Sequence, residues 1–222
     1  MQYLYNKLAG LSSLELKGDD HRYIFKVRRH RANEKIYLRN LQDDILYKYS
    51  IDRIDKKSLT LLLDSQQELR VEAKKELHIG WCVIEPKNIE KMLPTLNEIG
   101  VSKITFIYCE RSQKSFKIDL DRLKKIILSS SQQSGRSRLL EFDIKNSLDS
   151  FIESNQNSYL VNFSPNRVGG DKNLDTVVIG CEGGLTDSEI ALFDKDRVFG
   201  FDTPLVLKSE SAVSAIASII LL

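Results

Sequence analysis

The chain has 222 residues, 41% of them hydrophobic and 29% charged, with a formal net charge of +2. That composition is globular and excludes a disordered or fibrous chain, while a net charge so near zero says little about partners. No apolar run reaches the roughly 18 residues of a membrane span, and MQYLYNKLAG lacks the apolar stretch of a secretory signal, so the expected location is cytoplasmic and no membrane contact is expected.

Short runs rich in β-branched and aromatic residues come first: YIFKV (23–27), KIYLRNL (35–41), DILYKYSIDRID (44–55) and SLTLLLD (58–64). Their regular spacing predicts a small β-barrel over residues 1–68. The polar stretch 66–75 reads as a connection. From residue 69 to 222 the pattern alternates strand and helix. LHIGWCVI (77–84) is a buried strand. Pro86 opens a helix with Ile89, Met92, Leu93, Leu96 and Ile99 on one face, closed by Gly100. KITFIYC (103–109) is the next strand, and 119–134 is a helix with Leu120, Leu123, Ile126 and Ile127 inward. LLEF, SYLVNF (158–163) and TVVIG (176–180) are further strands. Thr186 and Glu189 form a capping box at the start of a helix over 186–193. A last strand covers 198–201. The final helix, from Ser209 or Glu210 to Leu222, is apolar almost all round and is therefore expected to be buried. Such alternation predicts an α/β domain with a mostly parallel sheet, and ligands at the carboxyl ends of its strands.

Charge is unevenly spread. Residues 21–39 hold seven Lys/Arg against one acid, and 103–138 hold nine against three. Either stretch suits a polyphosphate surface or an ordinary solvated face. Cys82, Cys109 and Cys181 are scattered, with no CxxC pair, which fits a reducing compartment. With His21, His30 and His78 also far apart, no metal site is expected.

Three segments carry chemistry. VVIGCEGGLTDSEI (177–190) joins a strand to a helix through three glycines. It lacks the lysine of a phosphate-binding loop, and its glycine spacing is not that of a dinucleotide fingerprint. Glu182 would repel a phosphate. The backbone groups of such a turn suit a neutral or cationic ligand with a purine edge, although a turn that merely links two elements has the same pattern. FGFDTPLVLKSESAVSAI (199–216) supplies a second loop at a strand's carboxyl end. SSSQQSGRSR (129–138) ends a helix with Arg136 and Arg138 just beyond its stop, placed either to meet RNA or to satisfy the helix's last carbonyls.

Together, IGVSKITFIYCERS with the following QQSGR, IGCEGGLTDSEI and the LVLKSESAVSAI tail resemble the signature regions of the bacterial small-subunit ribosomal RNA (uridine-N3) methyltransferases, a branch of the knotted SPOUT superfamily. The resemblance covers nearly the whole chain. It implies a PUA-like barrel that binds RNA, then an α/β methyltransferase domain whose C-terminal part forms a trefoil knot, and a homodimer. It implies S-adenosylmethionine as cofactor, methylation of uridine N3 in small-subunit (16S) ribosomal RNA, and no metal. The donor pocket would comprise Val161, Asn162 and Phe163, then Ile179, Gly180, Glu182, Gly183, Gly184 and Leu185, and then Gly200, Val206, Leu207 and Ser209. Arg136, Glu182 and Lys208 are the catalytic candidates. Arg22, Arg28, Arg29, Arg31, Arg111 and Arg138 are the RNA-binding candidates. Cys181 stands where the family usually has proline, and Lys208-Ser209-Glu210-Ser211 where it has Arg-Thr-Glu-Thr, so the planar fork of an arginine is missing. Two other readings share the pattern: an RNA-binding ribosome-assembly factor with a degenerate donor pocket, and a SPOUT methyltransferase for another RNA position.

Overall fold

A computed structural model describes residues 2–22, 24, 34–167 and 174–222. The predicted strand at 23–27 and the arginines 28, 29 and 31 lie outside the described residues, apart from the buried Ile24. The chain divides into two units, Met1–Glu72 with Ser131–Arg138, and Ala73–Ser130 with Leu139–Leu222.

The first unit holds a five-stranded sheet: β1 (Leu4–Tyr5), β2 (Ser13–Lys17), β3 (Ile36–Arg39), β4 (Ile45–Ile54) and β5 (Ser58–Glu68), in spatial order β1-β3-β4-β5-β2. The β1–β3 pair is parallel, while β3–β4, β4–β5 and β5–β2 are antiparallel. In β2, SLELK alternates strictly, with Leu14 and Leu16 inward, as one-sided burial of a sheet requires. The register of β4 on β5 shifts between Lys48 and Tyr49 and again between Ile51 and Arg53, and such irregularities bend a sheet towards closure. Strand β5 runs on to Glu68, into the stretch expected to be a connection. Neither β2 nor the short helix α1 (Gly18–Arg22) was expected from the sequence, because five residues carry little periodic signal.

The second unit is a parallel six-stranded sheet: β6 (His78–Cys82), β7 (Lys103–Ile107), β8 (Glu141–Lys145), β9 (Tyr159–Val161), β10 (Thr176–Ile179) and β11 (Val198–Phe199), in order β11-β9-β10-β6-β7-β8. The central strands are buried on both faces, which accounts for their continuous apolar runs. Helix α2 (Pro86–Ile99) begins with proline at its first turn and ends at Gly100, whose φ of 111° lets its N–H reach the Leu96 carbonyl. Helix α3 (Leu120–Ser134) follows β7. Helix α4 (Leu148–Ser154) is an addition to the expected elements. Ser147 caps it by accepting from the Ser150 N–H, and Leu148 and Phe151 are buried beneath it. That serine and the i, i+3 pair were the signal available for it.

Helix α5 (Asp187–Ile190) is shorter than expected, and α6 (Ser209–Leu221) corrects an expectation outright. It is buried along Ala212, Val213, Ile216 and Ala217, where it meets α2 and β10, but Ile219 is 49% exposed and Leu222 is 89% exposed. A helix laid on one side of a sheet covers only one of its own faces, whatever its composition.

Candidate functional site

Strands β9, β10 and β11 end together, and the loops beyond them line a cavity of about 730 Å³ in the second unit. Its walls come from residues 161–164, 179–185, 200–201 and 203–209, with Arg111, Arg167, Ile190 and Ala212. All the residues expected at a donor pocket lie on these walls, and so do Glu182 and Lys208.

The floor is the glycine turn. The Gly184 N–H donates to the Cys181 carbonyl at 2.9 Å, and Gly184 has φ 71°, a left-handed conformation that glycine adopts without strain. Next comes the capping box: Thr186 Oγ1 accepts from the Glu189 N–H, and Glu189 Oε2 accepts from the Thr186 N–H at 3.0 Å. The other Glu189 oxygen accepts from the Glu110 N–H at 2.8 Å, so one buried carboxylate ties the turn to the segment after β7. From that segment Arg111 Nη1 donates to the Gly183 carbonyl at 2.9 Å. Arg111 was expected to meet RNA; here it lies against the turn and lines the cavity.

The tail is fixed to the turn through a relay. The Trp81 indole donates to Ser209 Oγ at 2.9 Å, and Ser209 donates to the Gly180 carbonyl at 2.6 Å. Trp81 is fully buried on β6, and Ser209 is the first residue of α6. The third wall is laced to β11. The Asn162 N–H donates to the Phe199 carbonyl, the Gly200 N–H donates to the Asn166 carbonyl, and Ser164 Oγ donates to the Val198 carbonyl. An Arg167–Asp202 ion pair of 3.3 Å spans exposed residues of the same two segments.

The catalytic candidates separate. Glu182 and Lys208 are exposed at the cavity, whereas Arg136 does not line it. Arg136 belongs to the first unit and is 7% exposed; burial lowers its affinity for a proton, opposed by the charge of Glu72. Its carbonyl accepts from the Tyr3 hydroxyl at 2.8 Å. Nearby, Gln132 binds the chain at and just before β1, accepting from the Tyr3 N–H through its carbonyl and from the Tyr5 N–H through Oε1. Arg138 pairs with Asp44 and Glu72. The 131–138 segment is therefore built into the first unit, a role that neither sequence alternative contained. Arg22 is exposed and stands 3.8 Å from Asp19.

Sequence reasoning missed Trp81, Glu189 as a brace, and Arg167. His78 is no base for this cavity. It starts β6, at the end of the sheet opposite the cavity, where it is hydrogen-bonded to Thr105 Oγ1 and where burial and Lys103 push its pKa down to about 4. Among the described residues no cluster of His, Cys, Asp and Glu could hold a metal ion, and no helix is long and apolar enough to cross a membrane.

The cavity suits the ligand inferred from the sequence. Its volume lies within the usual range for small-molecule sites, and its walls combine apolar side chains with the backbone of a glycine turn. Residues 71–221 match the family model of an RNA methyltransferase domain, and residues 16–64 match that of an RNA methyltransferase PUA domain. The chain is 35% identical over 223 aligned residues to a ribosomal RNA small subunit methyltransferase E of Helicobacter pylori, with 99% of each chain covered. It is 27% identical to the protein of the same name from Aquifex aeolicus, over 89% of each. Its fold matches a ribosomal RNA small subunit methyltransferase E from Neisseria gonorrhoeae, solved bound to S-adenosyl methionine. The TM-score there is 0.80 at 18% identity, covering 98% of this chain and 96% of that one.

Proposed function

The chain belongs to the ribosomal RNA small subunit methyltransferase E family, and from that premise we propose that it transfers a methyl group from S-adenosylmethionine to N3 of a uridine in 16S ribosomal RNA. The observation that carries the proposal is the cavity at the ends of β9, β10 and β11, to which two of the segments that bear the family resemblance, 179–190 and 205–216, contribute much of the lining.

S-adenosylmethionine supplies a methyl group already activated on a sulfonium, which needs no metal. The chain's task is to hold and orient. The backbone of Gly180, Gly183, Gly184 and Leu185 reads the purine edge; Val161, Ile179, Val206 and Leu207 enclose the apolar parts; Ser209 keeps the Gly180 carbonyl aimed. Glu182 supplies a negative charge beside a cationic ligand. Uracil N3 is a weak acid that must lose its proton, and Lys208, on the cavity wall, stabilises the charge left on the base oxygens in this reading. Because N3 lies on the Watson–Crick edge, the target base must be unpaired or flipped out. Arg136 holds the first unit together in this reading, while Arg22 and the arginines 28, 29 and 31 meet the RNA backbone.

Cells lacking the protein are expected to lose N3-methyluridine from their small-subunit ribosomal RNA, as read by mass spectrometry of its nucleosides. Its persistence would overturn the assignment. Titration calorimetry with S-adenosylmethionine tests the cofactor alone, and an absence of binding would favour an assembly factor with a degenerate pocket.

A homodimer belongs to the same proposal. Phe163, Leu205 and Val206 are 80%, 71% and 76% exposed at the cavity rim, and Ile219 is uncovered near the end of α6. A second copy would bury apolar surface of this kind. Sedimentation equilibrium is expected to give twice the chain mass; a single-chain mass across the concentration range would refute it.

A further inference from the structure

Three cysteines that are far apart in sequence converge under the glycine turn. Cys82 ends β6, Cys109 follows β7, and Cys181 follows β10. Adjacent parallel strands in the order β10-β6-β7 bring their carboxyl ends side by side. The sulfurs of Cys109 and Cys181 stand 3.6 Å apart, Ser112 Oγ lies 3.0 Å from the Cys109 sulfur, and the Cys181 thiol donates to the Gly184 carbonyl at 3.3 Å. Cys82 and Cys109 are closed off, at 0% and 1% exposed. Cys181 is on the cavity wall.

We infer that Cys109 and Cys181 form a peroxide-sensitive thiol pair whose oxidation closes a disulfide beneath the floor of the ligand pocket. The sulfurs need to approach by only about 1.5 Å to reach the bonded separation of about 2.05 Å. The segment that must yield is the turn carrying Gly183 and Gly184, the most adaptable backbone in the wall. Contacts with Cys181, Cys82 and Ser112 shift the Cys109 thiol down from the usual range, while the Cys109 contact and burial push Cys181 up. Access to the cavity belongs to Cys181, and the Cys109 thiol donates to its sulfur.

The chemistry balances across that contact. The Cys181 proton, held at the Gly184 carbonyl, passes to solvent in the cavity, and the thiolate left behind accepts the hydrogen bond of the Cys109 thiol. The Cys181 thiolate then attacks a hydroperoxide that has entered the cavity, taking one oxygen as sulfenic acid and releasing hydroxide. The Cys109 sulfur displaces that oxygen, which leaves as water with the Cys109 proton, and the S–S bond forms. Two sulfurs are each oxidised by one electron, and the peroxide supplies both electron vacancies. Cys82, fully buried on the strand between the other two, takes no part.

The test is brief exposure of the purified full chain to hydrogen peroxide, followed by intact mass and peptide mapping. The wild type is expected to become lighter by two hydrogen atoms, with a Cys109–Cys181 cross-link reversed by dithiothreitol and with Cys82 still alkylatable after unfolding. Cys109→Ser is expected to stop at a dimedone-reactive Cys181. Should that variant fail to fold, Cys181→Ser, which is expected to form no cross-link, serves in its place. Oxygen addition without a cross-link in the wild type, or a cross-link that includes Cys82, would overturn the pair. Access through the cavity rests on the proposed cofactor site: saturating S-adenosylmethionine should slow the reaction several-fold. Unchanged oxidation with the ligand bound refutes that route. Failure of the ligand to bind counts against the proposed function and leaves the mass shift to decide the thiol pair.

Discussion

Trp81→Ala is expected to lower the unfolding free energy by about 3–5 kcal/mol, the usual cost of emptying a large aromatic site. Ordinary domains hold only about 5–15 kcal/mol in all, so this one change removes a large share of the stability. Trp81 is fully buried on β6, opposite Ile179 of β10 on one side and Phe106 of β7 on the other. Its loss opens a void where the two halves of the sheet meet. It also removes the donor to Ser209, and with it one fixed end of the relay that holds α6 to the Gly180 carbonyl. Trp81→Phe separates the two effects. Most of the volume stays and the N–H goes, leaving a buried acceptor short of a donor at about 1–3 kcal/mol. Because Trp81 is the chain's single tryptophan, unfolding should be followed by circular dichroism in urea. A phenylalanine variant as stable as the wild type, with unaltered affinity for S-adenosylmethionine, would show that the relay contributes nothing.

The second unit was legible because its signals are local. Runs such as HIGWC and KITFI are buried on both faces and read as continuous apolar strands, and the capping box at Thr186 and Glu189 marks a helix start by chemistry alone. The glycine turn was legible as a turn at a strand's carboxyl end whose spacing excludes the phosphate patterns, while a turn that merely links two elements has the same pattern. What was not legible depends on contacts between distant residues. Trp81 and Ser209 are 128 positions apart, and Tyr3 and Arg136 are 133 apart. Nothing in SSSQQSGRSR says that Gln132 will take the backbone of β1, so its arginines were free to be read as RNA ligands. The scattered cysteines show the same limit from the other side: separate in sequence, they meet because parallel strands share an end.

Gly200→Ala is expected to have the largest effect on the cavity itself. A β-carbon at this position would stand 2.6 Å from the Ser164 carbonyl oxygen, 3.0 Å from the Ser164 nitrogen and 3.1 Å from the Asn162 carbonyl oxygen. All three are backbone atoms, so no side-chain rotation relieves the contact, and the loop after β9 has to move. That loop forms one wall of the cavity and is laced to β11 through the Gly200 N–H and the Asn162 N–H. Forcing a methyl group into packed structure costs about 1–3 kcal/mol. Each 1.4 kcal/mol that falls on the bound state is about tenfold in affinity. Binding of S-adenosylmethionine should therefore weaken by about ten- to a hundredfold by calorimetry. Gly183→Ala is the informative contrast. It also lies on the cavity wall, but a β-carbon there meets Arg111 side-chain carbons at 3.5 Å and 3.7 Å, which is ordinary contact with a movable group. Its loss of affinity should be clearly smaller. If the two variants bind equally, the tight place in this pocket is not the crossing of Gly200 with the 162–164 backbone, and the cavity is shaped by its side chains instead.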